Sequence, residues 1–218
     1  MRSNVRFVLV ASIVCTALSR STAAQEPTQG FSYDNIRFSG IQVEAGVITS
    51  KRLKGAPQIG LRVDLGQFAP RVRLMAGVSY FRSDFTSREI GEFESALERV
   101  VSDPEGNFTI DLGRVRWSDV ALDVDFQYLL GSWGRWQPYL GLGAGAHIRN
   151  GSGAAINGTF VEDALDNIGA GINVTAGWDV SVAPGFILNV GGRAVLASDV
   201  STLGLQVGLG YRRARRGS

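Results

Sequence analysis

The sequence predicts an all-β fold: an eight-stranded antiparallel up-and-down transmembrane β-barrel, with short helical turns in two long outer loops. Three observations point there. Apolar residues recur with period two along most of the chain, the signature of strands with one apolar face. The links between these stretches include tight turns and long loops, as in barrels whose turns and loops lie at opposite ends. The residues opposite the apolar ones are small or of mixed charge, which suits a crowded interior better than a water-facing surface.

The first element is not part of that fold. Arg2 and Arg6 precede the apolar run Phe7 to Leu18, and Thr22 and Ala24 flank a cleavage position before Gln25. Residues 1–24 are therefore expected to be a secretory signal and residues 25–218 the barrel domain. The apolar run is too short for a membrane helix, which takes about 20 residues. Cys15, the only cysteine, falls inside the signal, so the mature chain is expected to have neither a disulfide nor a cysteine metal site.

Eight strands follow. Apolar positions alternate through Ile41 to Val47, Ile59 to Leu65, Val72 to Tyr80 and Val120 to Tyr128. They continue through Leu140 to Ile148, Ala170 to Val180, Leu188 to Leu196 and Leu203 to Tyr211. Each stretch is near the ~9–11 residues that cross a bilayer as a tilted strand. Gln67 to Pro70, Gly131 to Gln137 and Ala183 to Gly185 read as tight turns. The links after the third and fifth strands are long, and each holds a capping-box pattern, Thr86 with Glu89 and Thr159 with Glu162. Ile90, Phe93, Leu97 and Val101 then recur at helical spacing, so helical turns are expected to pack over the barrel rim.

Alternation alone also fits a soluble barrel with its apolar face inside. Three features favour lipid outside. The polar face is rich in glycine, and the chain has 28 glycines among 218 residues, nearly twice the average usage of about 7%. Both charge signs share that face: Glu44, Asp64, Asp123, Asp125 and Asp179 against Arg62, Arg73 and Arg193. Paired charges can be buried where a lone charge cannot. With His147 these residues form the expected polar network of the lumen. Third, Phe68, Trp133, Trp136, Phe186 and Tyr211 sit at strand ends beside the tight turns or the C-terminus, as an interfacial aromatic girdle would. An eight-stranded barrel is just wide enough to be filled by side chains.

One motif argues for different chemistry. Gly141, Gly143 and Ala146 fit the G-x-G-x-x-G/A dinucleotide fingerprint, and His147, the only histidine, follows. That fingerprint needs a strand-to-helix turn. Here its glycines alternate with Leu140, Leu142 and Ala144 inside a predicted strand, so neither a phosphate cradle nor a cofactor is expected. No catalytic residue is assigned. Asp119, Asp123 and Asp125 share one strand face, but one histidine and no mature cysteine make a transition-metal site improbable; paired charges are preferred to a metal.

The stretch "YLLGSWGRWQPYLGLGAG", Tyr128 through Gly145, resembles the small outer-membrane β-barrel superfamily of Gram-negative bacteria, the OmpA, OmpX and OmpW type. The last strand, "TLGLQVGLGYR", is similar to the terminal assembly signal of such barrels at Thr202, Gly204, Val207 and Leu209. It departs from the pattern in that Tyr211 is followed by Arg-Arg-Ala-Arg-Arg-Gly-Ser rather than closing the chain; this basic tail is expected to be solvated. The resemblance implies an integral outer-membrane protein partnered by outer-membrane lipid and, during biogenesis, by the barrel-assembly machinery. The near balance of 22 basic and 20 acidic residues gives no sign of nucleic-acid binding, and the oligomeric state is left open. The expected role is non-enzymatic, with outward loops serving envelope integrity or surface interaction. A narrow channel for small or apolar molecules and a lipid A-modifying enzyme based on His147 are the alternatives. The His-x-Ser pairing of lipid A deacylases is absent, because Arg149 occupies the serine position.

Overall fold

The computed structural model describes residues 36–100 and 111–213. The expected signal, Val101 and the tail beyond Arg213 lie outside them. The elements run β1 (Gly40–Thr49), β2 (Ala56–Ala69), β3 (Val72–Asp84), α1 (Ser87–Val100), β4 (Arg116–Leu129), β5 (Trp136–Ser152), α2 (Phe160–Leu165), β6 (Asn167–Ala183), β7 (Phe186–Ala197) and β8 (Thr202–Arg212). Each strand pairs antiparallel with its sequence neighbours, and β8 closes on β1 from Gly40 opposite Arg212 to Thr49 opposite Leu203. Closure leaves no unpaired edge. The fold is the eight-stranded up-and-down barrel the alternation predicts.

Period-two patterning fixes which way each strand faces. Val43, Leu61, Leu142, Ile172 and Leu205 lie exposed on the outside, while Glu44, Arg62, Asp125, Thr175 and Gln206 are buried within. A register slip of one residue would exchange the two sets. The β2–β3 ladder does shift between Asp64 and Gln67. There Gly66 adopts φ 89°, and its N–H donates to Asp64 Oδ1 at 2.8 Å. A left-handed residue at a bulge is where glycine costs least.

The strands differ from expectation in length. β5 and β6 have 17 residues each, well beyond the ~9–11 needed to cross a bilayer. The surplus stands at the loop end, where the β4–β5 ladder continues to Arg116 opposite Ser152. The fifth strand therefore continues past Ile148, where the sequence places its end, to Ser152. The alternation runs on through Arg149 and Gly151, whose side of the strand is buried.

At the loop end the interior changes character. Ile48, Leu53, Phe81, Phe85, Trp117, Ile156 and Val200 form one buried apolar cluster with the partly buried Ile90, Leu97 and Leu165. Trp117 meets Phe81 edge-on at 6.2 Å between ring centroids. The cluster is a small core roofing the barrel mouth, and α1 supplies Ile90 and Leu97 to it. The start of α1 is capped by Thr86, whose hydroxyl accepts from the Glu89 N–H at 3.3 Å. The Glu89 carboxylate pairs with Arg52. At α2 the Thr159 hydroxyl accepts from Val161 N–H at 3.3 Å, and the Glu162 carboxylate accepts from Gly158 N–H at 2.6 Å.

Candidate functional site: a charged interior beneath an apolar cap

Inward side chains meet in three tiers along the barrel axis. In the middle tier Arg62, from β2, fans out to three carboxylates. Its Nε donates to Glu44 Oε2 at 2.9 Å, Nη1 to Asp125 Oδ2 at 2.6 Å and Nη2 to Asp123 Oδ1 at 3.1 Å. Arg193, from β7, approaches from the other side, with Nη1 at 3.0 Å from Asp123 Oδ2 and Nη2 donating to Asp125. Gln42 donates to Glu44 at 2.7 Å and Asn173 to Asp125 at 3.3 Å. Each charge is thus bound by an opposite one, the condition under which ions can be buried. The planar guanidinium suits this role because its donors fork toward several carboxylates at once.

Glycine makes room for this tier. A Cβ on Gly143 would lie 2.0 Å from Asp125 Oδ1 and 2.3 Å from the Val124 carbonyl oxygen. The glycines of the apparent dinucleotide fingerprint sit in mid-strand, where a carboxylate already fills the space a side chain would take.

The tier at the turn end joins β2, β3, β4, β6, β7 and β8. Arg73 Nη1 donates to Asp179 Oδ2 at 2.6 Å and its Nε to Gln127 at 3.0 Å. Arg212 bridges Asp64 at 3.0 Å and Asp179 at 2.9 Å. Asn189 donates to Asp179 Oδ1 at 2.8 Å. Below this tier opens a vestibule of about 620 Å³ lined by Arg37, Asp64, Arg73, Arg212 and Arg213.

The tier at the loop end holds His147. Its Nδ1 lies 2.9 Å from Asp119 Oδ2. Arg149 stacks over Trp117 at 5.3 Å and donates to Asp199 at 2.7 Å. His147 Nε2 has no hydrogen-bond partner among the described residues, so the Asp119–His147 pair has no hydroxyl nucleophile on it. A cavity of about 20 Å³ beside His147, Asn173 and Arg193 fits about one water molecule. No group of three or more His, Cys, Asp or Glu residues among those described is arranged for a metal ion.

The aromatics Phe68, Trp133, Trp136, Phe186 and Tyr211 all lie at the turn end. Phe186 meets Tyr211 edge-on at 5.6 Å, Phe68 meets Phe126 at 5.9 Å, and Trp133 bridges to Trp136.

No protein-family model matches the chain, and no curated protein does so significantly. Among solved structures, Neisserial surface protein A aligns over 80% of this chain and 96% of its own, at 13% identity and a TM-score of 0.53. The fold is that of the small eight-stranded outer-membrane barrels. The attachment invasion locus protein Ail of Yersinia pestis, in complex with the heparin analogue sucrose octasulfate, covers 81% of this chain and 99% of its own, at 14% identity and a TM-score of 0.47. The N-terminal β-barrel domain of Pseudomonas aeruginosa OprF covers 81% and 98%, at 12% identity and 0.45.

The charged groups that a reading by sequence misses are Arg149, Arg212 and the exposed Asp199, and the amides it misses are Gln42, Gln127, Asn173 and Asn189. Arg149 lies past the end of the fifth alternating stretch and Arg212 in the basic tail, yet both continue the inward parity of their strands, Arg149 with His147 and Arg212 with Gly208 and Gly210. Asp199 lies in the β7–β8 link, and no strand pattern could point to it. The apolar cap does leave a trace, because Ile48, Phe81 and Trp117 are apolar at positions of inward parity.

Proposed function

We propose that the chain is an integral outer-membrane barrel that neither conducts nor catalyses, and that its loop end serves envelope integrity or surface contact. One observation carries the reading: a belt of exposed Val, Leu, Ile and aromatic side chains contributed by all eight strands surrounds an interior of paired charges. Water outside would leave that belt solvated at about 25 cal/mol per Å², whereas a lipid exterior makes it favourable and requires closed backbone pairing. The aromatics at the turn end then lie at one membrane interface. Outer-membrane lipid is the standing partner on this reading, with the barrel-assembly machinery acting during biogenesis and a signal directing export.

The non-conducting part of the proposal is supported by the ion-paired middle tier below and the apolar roof above. The test is twofold. Protein extracted from membranes should migrate faster unheated than boiled on a detergent gel, and recovery in the soluble fraction would end the membrane reading. In planar bilayers the refolded protein should give no steady unitary current; such currents would establish the narrow-channel alternative.

A further inference from the structure

We propose that the turn end of the barrel binds the phosphate headgroups of anionic lipids through Arg37, Arg71, Arg135 and Arg213. The inference rests on the membrane reading above and adds a lipid class to it.

The four arginines are exposed and none forms an ion pair among the described residues. They are spread around the rim: Arg37 precedes β1, Arg71 lies in the β2–β3 turn, Arg135 in the β4–β5 turn, and Arg213 follows β8. Among the described residues no exposed carboxylate accompanies them. The acids described at this end, Asp64 and Asp179, are buried and held by Arg73 and Arg212. The loop end is built differently. There Arg52 pairs with Glu89, Arg88 with Glu92, Arg114 with Asp84 and Arg149 with Asp199. Arg82, Arg99 and both lysines have no ion pair among the described residues, but the exposed acids Asp111, Asp163 and Asp166 share that end with them. Among the described residues, exposed positive charge without exposed acids beside it is therefore found where the turns are.

Each of the four adjoins an outward aromatic. Arg37 precedes Phe38, Arg71 lies three residues after Phe68 at the end of β2, Arg135 sits between Trp133 and Trp136, and Arg213 follows Tyr211 closely. Tryptophan and tyrosine settle at the headgroup level, so the guanidinium groups reach the phosphate layer. Guanidinium binds phosphate through two parallel hydrogen bonds, which ammonium cannot do. Both lysines of the chain, Lys51 and Lys54, lie at the other end.

Arg71 supplies an independent observation. Its φ is 63°, the one positive value at a non-glycine residue described, whereas the parallel Pro184–Gly185 turn has glycine at φ 79°. The left-handed region is unfavourable for a residue with a Cβ. Retaining arginine where glycine relieves strain fits a position that is used for its charge.

The tryptophans flanking Arg135 report on their lipid neighbours. The full-length protein would be refolded into phosphatidylcholine vesicles doped with either brominated phosphatidylglycerol or brominated phosphatidylcholine. Stronger tryptophan quenching by the anionic lipid is expected, weakening with salt, at roughly fivefold in relative affinity for each arginine fully engaged. Changing all four arginines to Gln should bring the ratio near one, while Lys51→Gln with Lys54→Gln should leave it unchanged. Arg71→Gly alone should lower the ratio while melting at or above the wild-type temperature, so the proposal remains testable if the fourfold variant fails to fold. Equal quenching by both lipids in the wild type would overturn the rim proposal and leave the membrane reading standing. Absence of quenching by either, with no heat-modifiable migration, would remove the membrane reading itself. Loss of the preference with inorganic phosphate, but not with chloride at equal ionic strength, would identify a free-phosphate site and overturn the lipid assignment.

Discussion

Arg62 and Trp117 are buried almost equally, at 4% and 2% exposed, yet they lie in opposite kinds of interior. Arg62 is surrounded by Glu44, Asp123 and Asp125 inside a wall whose outer face is apolar. Trp117 is surrounded by Phe81, Phe85 and aliphatic side chains beneath loops that carry the exposed charges. On the proposed membrane reading, the first arrangement is that of a chain whose exterior solvent is hydrocarbon and the second that of a chain in water. The hydrophobic effect drives assembly only where water is the alternative, which on that reading confines the apolar core to the part that rises out of the bilayer. Within the barrel, directional ion pairs and hydrogen bonds set the packing instead.

That contrast is broken most severely at Asp125, which is fully buried and shared by Arg62 and Arg193. Asp125→Ala leaves two guanidinium groups facing each other with one fewer counter-charge. Removing one partner of a buried pair costs roughly 3–5 kcal/mol. Urea unfolding in phosphatidylcholine vesicles, followed by gel migration, should show a loss of that size across the whole barrel. A change below about 1 kcal/mol would mean that the tier is hydrated and the charges are not coupled.

The matching change in the cap is Ile156→Ala, at a side chain with no solvent exposure. Truncating a buried isoleucine costs about 2–5 kcal/mol, but here the damage should stay local. Hydrogen exchange at amides of the β5–α2 link should accelerate while the folded band on the gel persists, as expected of separate cooperative units. Simultaneous loss of both signals would show that cap and barrel fold as one.

How each region reads in the sequence follows from the same contrast. The wall obeys period two, so its strands, their facing and the closed topology were legible from positions such as Val120, Leu122 and Val124 against Asp119, Asp123 and Asp125. The partnering inside was only partly legible. Parity places Arg62 and Asp125 on the same side but says nothing of their contact, which depends on barrel closure bringing β2 opposite β4. The cap was the least legible part. Its members come from β1, β2, β3, β4 and all four loops of that end, with no shared period, and their only mark is an apolar residue on the polar face at Ile48, Phe81 and Trp117. Arg149 and Arg212 were misplaced because basic residues beside loops look solvated, although their parity was correct.

A smaller perturbation tests whether glycine in the wall serves packing. In Gly143→Ala the new methyl meets a carboxylate held by two arginines and a ladder carbonyl, and neither can give way. Overpacking of this kind costs about 1–3 kcal/mol. Gly192→Ala is the control, because its Cβ would face the outside with nothing nearer than 3.5 Å and should be close to neutral. Equal effects in the urea titration would attribute the cost to backbone conformation rather than to the crowded interior.

The finest probe lies where the two regions join. Arg149 reaches from Trp117 in the cap to Asp199 in the β7–β8 link. The Ser198 hydroxyl, with help from Arg149, holds the Asp199 carboxyl below its ordinary value of 3.8. A carboxyl with a depressed pKa stabilises the folded state above its ordinary pKa, and that contribution fades as the pH falls through the folded value. Because the Asp199 side chain is 41% exposed, solvent screening keeps the effect below about 1 kcal/mol. Protection against hydrogen exchange around Ala197 to Ser201, taken relative to the intrinsic rate at each pH, should therefore be greatest at neutral pH and weaken once the pH drops through the ordinary carboxylate range. Asp199→Asn should abolish that pH dependence while leaving the turn end unchanged. A pH response that survives the substitution would transfer the titrating group to another residue of the joint.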